Sequence, residues 1–208
     1  MGHASDPRFL VLHGLRLKGF GEPPAVGAAV GLDADIVEAH LPPLQDEELV
    51  LRRDGRLSGW ALTAAGRRRQ EQLAVEDLAA AGVATAVRTA YEEFLGVNGD
   101  LLAVCTDWQL RGGAINDHTD VAHDAAVVDR LRSIHETVRP VVADLRGQLR
   151  RFAPYAPRLA HAVERVQAGD HEFFTKPIID SFHTVWFELH EDLLTSLGLE
   201  RSQEGAPS

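Results

Sequence analysis

Two sets of side chains in this sequence have the types and spacings to do chemistry. The first lies in Leu49–Arg69, "LVLRRDGRLSGWALTAAGRRR", where Arg52, Arg53, Arg56, Arg67, Arg68 and Arg69 face only Asp54. Guanidinium groups gathered this way bond phosphate oxygens, which gives affinity and salt dependence but little base selectivity. The second set is built on histidine. Asp180-x-x-His183 and Asp120-x-x-His123 each place a carboxylate and an imidazole one helical turn apart, and His118 stands just before the second pair. Such spacing suits a divalent metal, so His118, Asp120, His123, Asp180 and His183 are candidate ligands. His183 and His190 also fall on one apolar helical stripe with Trp186 and Phe187. Together with Trp108 these make a candidate small-molecule pocket. The alternative is that each histidine bonds a carbonyl or an acid across a core, as buried polar groups generally do.

A second feature opposes the first. Residues 32–48, "LDADIVEAHLPPLQDEE", carry six carboxylates and no Lys or Arg. Base edges are read by Arg, Lys, Asn, Gln, Ser or Thr, which leaves His40 and Gln45 as the candidate base readers. The net charge of −10 argues against a surface coated for nucleic acid or anionic membrane, while leaving room for one local basic patch.

Elements of two kinds must position these groups. In residues 6–62, Pro7 after Asp6 reads as a helix start and Gly19 with Gly21 as its stop. "PPAVGAAVG" is a short second helix. A third starts at a capping Asp33 and should end or kink at Pro42. Leu49–Arg53 and Leu57–Leu62 alternate as strands around Asp54-Gly55, a strong hairpin signal, and Thr63 caps the next helix. From residue 64 onward only helical periodicity is visible, with expected helices at 63–81, 83–110, 120–152, a short one from Tyr155 to Gly169, and 170–197. Val127, Leu131, Ile134, Val138, Val141, Leu145, Leu149 and Phe152 alternate in steps of four and three, the seam of a helix packed lengthwise. That seam suits either an intramolecular bundle or a dimer interface. "RGGAINDHT" reads as a connecting loop, with a lid over a pocket near His118 as the functional alternative.

The expected fold is therefore mainly α. An N-terminal winged helix-turn-helix, three helices plus a β-hairpin with a linker helix, occupies residues 1–82. An all-α bundle for dimerisation and sensing follows at 83–200, and 201–208 forms a disordered tail. The hairpin resembles the wing of the MarR family and related winged-helix transcriptional regulators, in which Asp-x-Arg precedes Leu-Thr-x-x-Gly. The matching residues are Asp54, Arg56, Leu62, Thr63 and Gly66. The resemblance implies double-stranded DNA as partner and a homodimer, since one wing reads too few bases and two-fold sites answer that. A small apolar or weakly acidic effector, or a divalent metal, would bind the helical part. The competing reading is a winged helix that docks a basic protein through its acidic third helix.

Other classes are disfavoured. There is no Ser or Cys nucleophile in a recognisable turn, no glycine-rich phosphate loop and no His-Glu-x-x-His, so an enzyme is not expected. No apolar run reaches the length of a membrane span. The first twenty residues carry charges through their apolar stretch and do not read as a secretory signal. The single Cys105, among apolar neighbours, reads as a buried structural thiol in a reducing cytoplasm.

Overall fold

The computed structural model describes residues 2–55 and 58–199. Arg56 and the 201–208 tail lie outside the described residues. The chain is mainly helical with short antiparallel hairpins, and divides into two compact units. One holds the described residues of 1–88, 145–154 and 188–208; the other holds 89–144 and 155–187. A cut at 82/83 drawn from periodicity yields contiguous parts, whereas these units are discontinuous.

In the first unit, helix α1 (Pro7–Lys18) begins where the Asp6 carboxylate accepts the Arg8 and Phe9 amides, and Pro7 needs no donor there. Helix α2 (Pro23–Val30) stops at Gly31, whose φ of 75° is left-handed. Helix α3 spans Ala34–Asp46. Strand β1 (Val50–Arg53) pairs with β2 (Gly59–Leu62), Val50 opposite Leu62 and Arg53 opposite Gly59. Helix α4 (Ala64–Ala81) is capped by Thr63, whose hydroxyl accepts the Gly66 amide at 3.0 Å. Val11, Leu12, Leu15, Val26, Val37, Leu41, Leu44, Val50, Trp60 and Leu62 form the core that these elements share. Each such side chain is worth about 1.5–3 kcal/mol of burial.

Two local expectations are corrected here, and one pairing is added. Helix α3 does not end at Pro42 but continues through Pro42 and Pro43. Both prolines are exposed, while Leu41 and Leu44 beside them are fully buried, so packing offsets the lost backbone bonds. Asp33 occupies the N-cap position without a side-chain cap bond. Beyond the expected hairpin, Gly21 exchanges both backbone hydrogen bonds with Trp60, at 2.9 and 3.0 Å, adding a third extended segment beside β2.

The Leu-Thr-x-x-Gly stretch has a steric explanation. A Cβ at position 66 would lie 1.9 Å from the Leu49 carbonyl oxygen. Thr63 also donates its hydroxyl to the Glu48 carbonyl at 2.7 Å. Only glycine lets α4 start this close to β1.

The second unit contains most of α5 (Ala84–Gln109), α6 (Val121–Gln148) as far as residue 144, α7 (Tyr155–Gln167), the single turn α8 (Glu172–Thr175), and the start of α9 (Phe182–Leu197). Trp186 stacks on Phe94 with ring centroids 4.6 Å apart, and Trp108 stacks on Phe174 at 4.5 Å. All eight residues of the four-three seam are buried within the chain, Val127, Leu131, Ile134, Val138 and Val141 in this unit and the last three in the first. The expected loop between α5 and α6 contains a small hairpin, β3 (Leu110–Arg111) with β4 (Ala114–Ile115), turned by Gly112 and Gly113, both at positive φ.

Two expected helices are shorter than their periodicity suggested. Helix α6 stops at Gln148, and Leu149 is extended because His3 pairs with it: the His3 amide donates to the Gln148 carbonyl and the Arg150 amide to the His3 carbonyl. The stretch 170–197 is not one helix. Pro177 biases Lys176 to an extended conformation, Ile178 has a φ of 77° and is 94% exposed, and α9 starts only after Ser181. Ile178 and Ile179 thus leave the apolar arc to which the sequence assigned them.

Candidate functional site

Arg52 and Arg53 of the hairpin and Arg67, Arg68 and Arg69 of α4 lie on exposed surface, in two electrostatic conditions. Arg52 donates to Asp54 at 3.0 Å, lies 3.5 Å from Glu22, and sits 5.7 Å above the Trp60 ring. Arg69 lies 3.4 Å from Glu76. Arg53, Arg67 and Arg68 are exposed and have no ion-pair partner among the described residues. Strand β1 and the first turn of α4 bring Arg53 and Arg67 to one depression of about 370 Å³, floored by Phe20, Ala61 and Leu62. Two guanidinium groups on the rim of such a depression have hydrogen-bond donors to offer an anion.

The acidic stretch does not neutralise them. Glu47 pairs with Arg8; that hydrogen bond first, then the fields of Arg8 and Arg69, hold its carboxyl below the usual range. Asp33, Asp35, Glu38 and Asp46 are exposed without an ion pair among the described residues. His40 is half-buried and Gln45 exposed, and neither side chain makes a hydrogen bond among those residues. Helix α3 therefore offers a carboxylate-rich outer surface.

The five candidate metal ligands are not brought together. Asp120 accepts the Ala122 and His123 amides at the head of α6 and pairs with Arg111. The His123 amide is the main reason its carboxyl sits low. His123 Nε2 is 3.1 Å from the Asp107 carbonyl, a bond it donates. Asp180 receives two hydrogen bonds from Arg158, at 2.7 and 2.9 Å. Among the described residues, no three His, Cys, Asp or Glu side chains are grouped to hold a metal ion. The carboxylates of both Asp-x-x-His pairs are engaged elsewhere, Asp120 by amides and Arg111 and Asp180 by Arg158.

The five candidate pocket residues also separate. Trp186 donates its indole N–H to Asn98 at 2.9 Å and sits between Phe94 and Phe182. Phe187 is 47% exposed instead of extending the apolar arc. His183 is half-buried, and burial lowers its pKa. His190 is buried in the unit that contains the hairpin, whereas the other four belong to the helical unit. Cys105 is buried and its thiol is pushed up to about 11, which makes it a poor nucleophile.

Two polar clusters come together that the sequence did not assemble, although it did raise a pocket near His118. In the first unit, the fully buried Arg151 donates to Asp77, to Ser196 at 2.7 Å and to Asp192 at 3.3 Å. His13 Nε2 lies 3.0 Å from Asp192, and its Nδ1 meets the Gln70 amide at 2.9 Å. Lys18 pairs with the buried Glu188 at 2.8 Å. The acidic residues of α9 thus face cations rather than water. Their only signal in the sequence was a histidine and an arginine at otherwise apolar positions.

The second cluster surrounds His118 in the helical unit. Buried Asn116 donates to the Trp108 carbonyl at 3.1 Å and to Asp124 at 3.0 Å, and its carbonyl oxygen accepts the His118 amide. That bond holds His118 at a φ of 58°, a conformation that non-glycine residues rarely adopt. Its ring lies 4.5 Å from the Trp108 ring, with Nδ1 3.0 Å from Asp124. His171 approaches from the segment before α8, 5.0 Å from the same indole. Burial raises the Asp124 pKa, but hydrogen bonds from Asn116 and His118 and the fields of both histidines outweigh it and keep the group a carboxylate. Comparison with protein-family models, characterised proteins and solved structures gave no match.

Proposed function

We propose that the chain binds double-stranded DNA as a winged helix-turn-helix regulator, gripping phosphates with the hairpin and the start of α4. The observation that carries this is the shared rim of Arg53 and Arg67, two exposed guanidinium groups with no acidic partner among the described residues. The order α1-α2-α3-β1-β2-α4 supports it, as does the extended Gly21 segment hydrogen-bonded to Trp60, which gives the hairpin a third edge. In this reading Arg53, Arg67 and Arg68 contact the backbone and Arg52 joins them by exchanging its acidic partners for phosphate. Selectivity comes from His40 and Gln45 and from two-fold pairing of protomers, and the helical unit carries an effector. The test is duplex binding measured against salt, for the native chain and for Arg53→Ala with Arg67→Ala.

Asp33, Asp35, Glu38 and Asp46, at and along α3 and without an ion pair among the described residues, favour one second reading, a module that docks a basic protein partner. The same titration separates the two. Phosphate contacts produce a steep fall in duplex affinity with salt, and a protein-docking module produces no measurable duplex binding at low salt.

A further inference from the structure

We propose that the cleft beside His118 is a binding site for a small ligand with a protonated amine head and a short aliphatic body. The cleft has a volume of about 420 Å³ and lies entirely within the helical unit. That size is in the range of small-molecule sites.

Its polar side accepts hydrogen bonds far more than it donates them. Asp124 and Asp129 both line the cleft, and no Lys or Arg does so among the described residues. Asp129 has only a loose contact with Arg132, at 3.8 Å. Asp124 receives Asn116 on one oxygen and His118 Nδ1 on the other. A carboxylate 3.0 Å from Nδ1 favours the tautomer with its proton on that nitrogen, in which Nε2 is an acceptor. The His171 side chain, also lining the cleft, makes ring contacts but no hydrogen bond among the described residues. Two carboxylates and two imidazoles without a fixed cation suit an N–H-rich positive head and oppose an acid. Val128 and Val166 supply the apolar wall against which an alkyl chain would lie.

The site is prepared before any ligand arrives. Asn116 and Asp124 are 5% and 7% exposed, and they hold the His118 backbone in its left-handed conformation. A strained residue fixed by a buried polar network beside a cleft is an arrangement that functional sites share. Nothing in it depends on DNA, so it stands or falls apart from the function proposed above.

The experiment is a titration of the full ¹⁵N-labelled chain, without DNA, with n-hexylammonium, 1-hexanol and hexanoate near pH 7.5, where free imidazole is mostly neutral. The expected result is saturable shifts centred on residues 116–129 and 166–171, with the ammonium roughly tenfold tighter than the carboxylate. Asp129→Asn, an exposed change, and His118→Gln should each weaken n-hexylammonium several-fold while the spectrum remains that of a folded protein. Asp124→Asn should do the same if it folds. Hexanoate binding as tightly as the ammonium, shifts centred elsewhere, no saturation by about 20 mM, or unchanged affinity in the Asp129 and His118 variants would each overturn the assignment.

Discussion

Replacing Arg53 and Arg67 together with Ala should flatten the salt dependence of duplex binding, and the size of the effect follows from the structure. Three guanidinium groups, Arg53, Arg67 and Arg68, have no acidic partner among the described residues and are free to displace counterions. Each phosphate neutralised contributes about 0.9 to the slope of log affinity against log salt, giving about −2.7 per protomer. Between 50 and 200 mM salt these three contacts cost about 40-fold in affinity per protomer; with only one of the three left, their share falls to about 3- to 4-fold. Arg52→Ala should change the slope less than either, because Glu22 and Asp54 already act as its counterions. Both replaced residues are exposed, so stability should move by no more than about 0.5 kcal/mol. Fluorescence anisotropy of a labelled random duplex, read across that salt range, measures the slopes. A double variant with the native slope would refute the placement of the phosphate contacts. A native chain with no slope would refute DNA binding itself.

Other consequences concern stability. Gly66→Ala should destabilise the first unit by about 3 kcal/mol or more, measured by urea unfolding, because its Cβ would collide with the Leu49 carbonyl. Arg151→Ala should cost about 3–5 kcal/mol by the same assay, since it leaves the buried carboxylates of Asp77 and Asp192 with too few cations. Burial lowers the pKa of both His135 and His183 below the ordinary 6.5. The unfolded chain therefore binds more protons in that window, and stability is full above about pH 6.5 and falls as the pH drops towards the folded values. His135→Leu should flatten that acid limb in a series of melts from pH 7.5 to pH 5; an unchanged limb would show that other groups set it.

Much of the local structure was legible because it depends on neighbours in sequence. Asp6 and Thr63 mark helix starts by accepting amides within one turn, Gly82 marks a stop by donating its amide to the Ala79 carbonyl, and Asp54-Gly55 marks the reversal between β1 and β2. The seam from Val127 to Phe152 identified eight buried positions from spacing alone. The candidate sites were less legible. Asp120 and Asp180 have metal-like spacing to His123 and His183, yet spacing is silent on whether an amide or an arginine reaches the carboxylate first. Pro42 read as a helix end or kink, and the helix runs on past it because Leu41 and Leu44 are buried. Gly112-Gly113 carried a hairpin signal that the surrounding polarity obscured.

What the sequence determined by itself was a mainly helical chain with a basic hairpin, its turns, its caps and the apolar faces of its long helices. All of these are set by interactions spanning a few residues. Only the tertiary structure decided which acids meet which cations. Asp192 is paired with His13 and Arg151, Arg52 is partly quenched by Glu22, and Arg53 and Arg67 are left open on one rim. A charge's partner depends on which distant segments pack together, and residues 13 and 192 have no local pattern in common that would announce their meeting.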